Sequence, residues 1–144
     1  MAVVAGRSTR SLERTEVLAE SVEISSAKEA SEIFDGGVAR YCTFSSYLHE
    51  GAHVDAVLVG CKFVDVEWYW ALFNCTILVD CEFVRCTFQG ASFSGARLVD
   101  CRFERCRFID DNLGAPCRNH ESKIYGGEVK ECSGSEFLFG SGAL

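Results

Sequence analysis

A twenty-residue block occurs three times in the chain. It reads L-V-G-C-K-F from Leu58, L-V-D-C-E-F from Leu78 and L-V-D-C-R-F from Leu98. A five-residue pulse runs inside it: Leu58, Phe63, Trp68, Phe73, Leu78, Phe83, Phe88, Phe93, Leu98, Phe103, Phe108 and Leu113 are all large and apolar. Two residues before each stands a mostly small side chain: Ala56, Cys61, Val66, Ala71, Thr76, Cys81, Cys86, Ala91, Ala96, Cys101, Cys106 and Asp111. A helix repeats every 3.6 residues and a flat strand every two, so neither produces a strict period of five. Internal repetition of this kind implies a solenoid, in which each unit buries its apolar side only by stacking on the next.

Four five-residue units make a twenty-residue turn, so residues twenty apart stack. The expected stacks are Leu58, Leu78, Leu98; Phe63, Phe83, Phe103; Trp68, Phe88, Phe108; and Phe73, Phe93, Leu113. Size is kept within each stack, as layers about 4.8 Å apart require. One large and one small inward residue per side fill a narrow square interior without voids. The units C-E-F-V-R, C-T-F-Q-G, A-S-F-S-G, A-R-L-V-D, C-R-F-E-R and C-R-F-I-D closely resemble the pentapeptide-repeat family, whose pattern is a small residue, a polar one, a central Leu or Phe and two variable positions. The resemblance covers residues 56–115 and, more loosely, 37–140. It implies an all-β solenoid, a right-handed quadrilateral β-helix with one pentapeptide per side. It says little about function.

Three divisions follow: residues 1–36 as a helical capping segment, 37–115 as the β-helix, and 116–144 as a loop with a partial terminal coil. Ser26 and Glu29 fit a capping box ahead of Ala27, Ala30, Ile33 and Phe34, with Asp35-Gly36-Gly37 as a stop. Ser11 can cap an earlier helix carrying Leu12, Val17 and Leu18. The expected role of such helices is to plug a coil end, which otherwise exposes unpaired backbone. Cys42 and Phe44 sit nineteen residues before Cys61 and Phe63, so one residue is lost and a register break is expected between about 45 and 55. Ile124, Val129 and Phe139 resume a weak beat after a loop near 118–123, for three to five coils in all.

Nine cysteines raise the question of disulfides or zinc. Five of them (Cys61, Cys81, Cys86, Cys101, Cys106) occupy the small inward position that alanine takes elsewhere, where a free cysteine packs as a small hydrophobe. Their four-residue spacings are the repeat period itself. With no signal-peptide pattern and no apolar run of transmembrane length, a reducing cytoplasm is the expected location.

One motif suggests catalysis. His49-Glu50-Gly51-Ala52-His53 matches H-E-x-x-H, which on a helix holds zinc between two histidines with the glutamate as general base. Gly51 weakens a helix, and no third ligand follows, since Glu67 and Glu82 fall on outward positions. A zinc-dependent hydrolase is the remote reading and a surface loop the plain one. The rest of the chain suggests neither an enzyme nor a cofactor site.

Function is then read from the outward positions. Val57, Val59, Ile77, Val79 and Val99 fall on one side, an apolar patch that calls for a cover: a terminal helix, a second copy or a partner. Tyr69, Trp70 and Leu72 add a second apolar corner suited to a binding hot spot. The neighbouring side is charged with mixed signs, and Arg85, Arg102 and Arg105 gather toward the C-terminal coil. The primary reading is a non-catalytic module that masks, neutralises or escorts a partner protein, for instance an immunity protein against a bacterial toxin. The resemblance supplies the alternative, because some pentapeptide-repeat proteins mimic DNA, bind type II topoisomerases and confer quinolone resistance. Such mimicry needs a continuous negative rod. The chain carries a net charge of −7, but residues 55–111 hold nine acids against six bases. No net basic stripe exists, so direct nucleic-acid binding is not expected.

Overall fold

The computed structural model describes residues 3–5 and 17–139. The chain winds into four flat sides. The first stacks Leu18–Glu20, Asp35–Arg40, Asp55–Val59, Ile77–Val79, Arg97–Val99 and Lys123–Tyr125 in parallel, five turns in all. The second stacks Glu23–Ile24, Thr43–Glu50, Lys62–Tyr69, Glu82–Val84, Arg102–Glu104 and Glu128–Lys130. Thr43–Glu50 and Lys62–Tyr69 run through a corner and also supply the third side, which Thr87–Gln89 and Arg107–Ile109 continue. The fourth side is a column of single bridges joining His53, Leu72, Ser92 and Arg118. Among the described residues, no helix is long and apolar enough to cross a membrane.

Most corners fall on a residue with left-handed backbone. On the first corner this is Tyr41, Gly60, Asp80 and Asp100, with φ of 58°, 64°, 55° and 53°. Non-glycine residues pay about 1–2 kcal/mol for that conformation, so it is held by the ladder on either side. Gly60 is required for a further reason: a Cβ there would lie 2.7 Å from the Tyr41 ring, which covers it.

The interior is a set of in-register stacks. Phe44, Phe63, Phe83 and Phe103 follow one another at ring separations of 4.6, 4.6 and 4.7 Å. Phe73 and Phe93 stack at 4.6 Å, and Trp68, Phe88 and Phe108 at 6.1 and 4.8 Å. These separations are close to the spacing of neighbouring strands, and Leu58, Leu78 and Leu98 form the expected aliphatic column. The five repeat-position cysteines are buried beside them. Their thiols donate to carbonyls of the preceding coil: Cys81 to Leu58 at 3.3 Å, Cys101 to Leu78 at 3.4 Å, Cys86 to Phe63 at 3.4 Å and Cys106 to Phe83 at 3.3 Å. Cys117 joins them through the Phe88 carbonyl at 3.3 Å, and burial pushes its thiol pKa up, away from the reactive thiolate.

The structure departs from the regular repeat in three places. The coil already begins at Leu18, which pairs with Val38, so the β-helix starts upstream of residue 37. Helix α1 (Ala27–Phe34) takes the place of the third side in that first turn rather than preceding the coil. The predicted capping box forms, with the Glu29 N–H donating to Ser26 Oγ at 3.2 Å. Ala30, Ile33 and Phe34 are buried, and Phe34 stacks on Phe44 at 5.5 Å. The expected earlier helix lies largely outside the described residues, and Leu18 at its end is in a strand.

The lost residue falls at the far end of the expected interval. Pairing is offset by nineteen from Val38–Val57 through His53–Leu72, and returns to twenty at Val57–Ile77. The chain therefore omits one residue at the corner between His53 and Val57. The third departure is an insertion. Leu98 pairs with Ile124 and Phe103 with Val129, an offset of 26, because residues 110–116 loop out. Leu113, the twelfth beat of the pulse, sits on that loop 83% exposed. The Phe73–Phe93 stack thus does not continue through Leu113, nor does Asp111 point inward. Ile124 and Val129 do resume the ladder. Phe139 belongs instead to a short closing helix, α2 (Glu136–Phe139), in which Phe139 lies 5.7 Å from Phe103 and Phe137 lies 5.3 Å from Phe108.

Phe83→Ala, inside the four-ring phenylalanine stack, is expected to cost about 3–5 kcal/mol in chemical denaturation. Thr87→Ala and Leu113→Ala are each expected to cost under about 0.5 kcal/mol. Equal losses in the three variants would contradict the inward and outward assignment.

Candidate protein-binding surface

The first side carries a continuous apolar surface. Pairing sets Val57 beside Ile77, Val59 beside Val79 and Val79 beside Val99, as the repeat predicts. The ladder extends this patch with Val38 and Leu18 toward the N-terminal end, and with Tyr125 toward the other. Tyr41 covers the adjoining corner at Gly60. Ile77, Leu18, Tyr41 and Tyr125 are exposed and the valines half-buried. The added residues were hidden from a strict twenty-residue period, because Val38 is offset by nineteen and Tyr125 by 26.

A second apolar centre forms where the inserted loop folds back on the coil. Tyr69 and Trp70 lie against each other at 4.7 Å. The Trp70 indole N–H donates to Asp111 Oδ2 at 2.7 Å, and the Asn112 N–H donates to the Tyr69 hydroxyl at 3.2 Å. Asp111 Oδ1 accepts the N–H groups of Leu113 and Ala115, each at 2.8 Å. The Ala115 N–H, the Trp70 indole and the other loop N–H groups together hold the Asp111 carboxyl below the usual carboxylate range. One carboxylate thus ties the loop to the coil and sets Leu113 at its tip. Trp70 (42% exposed) is tied to this loop through Asp111, Leu48 lines a groove with Tyr69 and Asn112, and Leu72 is exposed on the fourth side. No break in spacing marked this loop, because Leu113 keeps the five-residue beat after Phe108.

Arg85, Arg102 and Arg105 are engaged within the chain. Arg85 forks onto Asp65 at 2.9 and 3.2 Å, Arg102 Nη1 reaches Asp80 at 3.0 Å, and Arg105 Nε reaches Glu131 at 2.9 Å. Arg85 lowers the Asp65 pKa and Arg105 that of Glu131. Exposed pairs like these contribute little to stability, but they cancel the field of the C-terminal coils. Residues 17–69 are different, with nine acids against three bases, a net of −6. Residues 70–139 hold ten acids against eight bases, a net of −2. The negative charge is concentrated on the N-terminal coils, where Asp35, Glu50 and Asp55 line one groove and Glu50 and Glu67 another.

The H-E-x-x-H motif does not form a zinc site. Residues 43–50 are a strand, so the side chains alternate, with His49 buried and Glu50 exposed. His53 lies beyond a bend on the fourth side, bridging to Leu72. The helix that would bring both rings to one metal is absent, and His49 Nε2 is engaged by Ser31 Oγ at 3.1 Å. No group of three metal-ligating side chains occurs among the described residues.

Residues 72–114 match the family model of pentapeptide repeats. A comparison with curated protein sequences finds no match. Among solved structures, the chain resembles full-length QnrB1, a plasmid-mediated fluoroquinolone resistance protein, at 16% identity and a TM-score of 0.56, covering 78% of this chain and 59% of that one. A trypsin-treated variant of QnrB1 is similar at 19% identity and a TM-score of 0.58, with 80% and 56% covered. The chain therefore spans less than two thirds of either protein. The repeats at 72–114, the ladder that continues them in both directions and the likeness to QnrB1 show that the chain has the fold of pentapeptide-repeat proteins, a right-handed quadrilateral β-helix.

Proposed function

We propose that the chain is a non-catalytic binding protein and that its partner is a type II topoisomerase, which it engages in place of DNA. The observation that carries this reading is the acidic band on the N-terminal coils, nine acids against three bases over residues 17–69, presented on a rigid rod of the same fold as a fluoroquinolone resistance protein. A surface that normally holds DNA is basic and attracts such a band. The loop bearing Leu113, tied to Trp70 and Tyr69, supplies the apolar anchor that a charged surface lacks.

A second reading rests on the apolar first side. A flat row of Val38, Val57, Ile77, Val59, Val79 and Val99 suits a partner that is masked or escorted, such as a toxin neutralised by an immunity protein. The two readings use different faces of the rod, so they are separable by mutation.

The test is DNA supercoiling by purified gyrase, and decatenation by topoisomerase IV, with and without a fluoroquinolone. Added protein is expected to change supercoiling or to restore it in the presence of the drug. The triple substitution Asp35→Asn, Glu50→Gln, Asp55→Asn is expected to weaken that effect at least tenfold. Leu113→Asp, on an exposed loop tip, is expected to weaken it without lowering the melting temperature. A protein that leaves both enzymes unaffected under all these conditions refutes the topoisomerase reading. In the masking reading, Val59→Asp with Val79→Asp abolishes binding while the acidic-groove variant retains it.

A further inference from the structure

The ring columns of the β-helix are built from phenylalanine and tryptophan, except at one place. On the third side the column runs Phe34, His49, Trp68, Phe88, Phe108. His49 stacks on Phe34 at 5.7 Å and on Trp68 at 6.0 Å. It is 5% exposed. Its Nε2 meets Ser31 Oγ on α1 at 3.1 Å, while Nδ1 is buried without a partner. Two further buried polar atoms without partners, the Tyr47 hydroxyl and Trp68 Nε1, belong to rings in contact with it. Whichever tautomer Ser31 selects, one ring nitrogen is left over. A core position that wants an apolar ring thus holds a group that can take up a proton.

His49 is also the polar tie between α1 and the coil. Helix α1 rests there on Phe34, which packs against Phe44, His49 and Trp68, and on the Ser31 hydrogen bond. Beside the ring opens a groove of about 430 Å³ lined by Ser31, Asp35, Glu50, His53 and Asp55. The titratable groups at this groove are Asp35, Glu50, His53 and Asp55, Tyr47 lies against the ring, and the elements packed on it also carry Lys28, Glu29 and Glu32 on the other faces of α1. His53 and Asp55 line the following bend, and Glu67 lies on the next coil.

We propose that His49 is a proton-sensitive latch for α1. Neutral, it holds the helix through Ser31 and the Phe34 stack. Protonated, it turns toward the Asp35, Glu50 and Asp55 carboxylates in the groove and releases the helix. Release uncovers the Phe44 ring and the edge of residues 45–50, which Glu23–Ile24 leaves unpaired, a surface ready to pair with another chain. The direction agrees with the burial of the ring, which holds the imidazole below its ordinary pKa. The released state therefore binds the proton more tightly than the latched one. The latch is fully closed above a pH of about 6.5 and loses stability as the pH falls from there to the latched value, up to about tenfold per unit. Stacking of the cation on Phe34 and Trp68 offsets part of this, as a cation–π contact does. The inference is independent of the partner's identity.

The test is amide hydrogen exchange of the full chain at pH 7.5 and pH 5.5, corrected for intrinsic rates. Protection over Ala27–Phe34 is expected to fall at least tenfold more than over Glu82–Val84 and Arg102–Glu104. His49→Phe, which continues the column as Phe88 and Phe108 do, is expected to abolish that difference. His53 and His120 are present in both proteins, so the comparison isolates His49. Ser31→Ala is expected to lower α1 protection already at pH 7.5. The proposal is overturned if α1 loses no more protection than the reference strands, if His49→Phe retains the acid loss, or if Ser31→Ala leaves α1 as protected as before.

Discussion

The coincidence of two lengths governs this molecule. Hydrogen-bonded strands in neighbouring coils stand about 4.8 Å apart, and flat aromatic rings pack face to face at nearly that distance. The rings of Phe44, Phe63, Phe83 and Phe103 sit 4.6–4.7 Å apart, so backbone pairing and side-chain packing reach their optimum in the same geometry. A smaller ring would leave a void and a larger one would force the coils apart, and either is costly in a close-packed interior. This is why the chain writes like above like every twenty residues. The same constraint explains the cysteines. The slot beside each ring admits a group of about the size of alanine or a thiol, and a thiol can also donate to the carbonyl of the coil below.

A structure held by stacking has two ends that cannot stack, and much of the non-repetitive sequence deals with them. At the N-terminal end Val3–Ala5 lies antiparallel on Leu18–Glu20 and covers the edge of the first side, while α1 covers the third. At the other end α2 sets Phe137 and Phe139 edge-on over Phe108 and Phe103. The edge strands Lys123–Tyr125 and Glu128–Lys130 carry Lys123, Glu128 and Lys130, charges that discourage another strand from adding.

The architecture was legible because a period of five admits few folds, and the stacks from Leu58 to Phe108 could be written down residue by residue. The two irregular corners were harder. A deletion near His53 announces itself only as a nineteen-residue spacing, and several positions between Cys42 and Cys61 satisfy that spacing equally. The insertion at 110–116 was concealed by accident, since Leu113 falls on the five-residue beat while its backbone has left the coil. The apolar first side was found because outward positions follow from inward ones. Its extension to Leu18, Val38 and Tyr125 needed the true offsets. The H-E-x-x-H motif misled because identical letters mean different geometry in a strand, where His49 and Glu50 face opposite ways.

Repetition and specificity pull against each other in such a chain. Every position that obeys the repeat is spoken for by the core or presents the same side as its neighbours, so recognition must come from what breaks the pattern. Three breaks cluster in this protein. The acidic band lies where α1 replaces a side, the Leu113 loop where six residues are inserted, and His49 where an aromatic column becomes titratable. Each interrupts a regularity that would have been more stable if continued, since phenylalanine at 49 or an uninserted corner after Ile109 would fit the lattice better. Natural chains tend to carry such local conflicts where function requires them. On the C-terminal coils, outside the inserted loop, the stacks are regular and charges are paired at Asp80–Arg102 and Arg105–Glu131, while Arg85 answers Asp65 of the coil before and Arg40 answers Glu20. Charge is therefore distributed unevenly along the rod, with a net of −6 on residues 17–69 and −2 on residues 70–139.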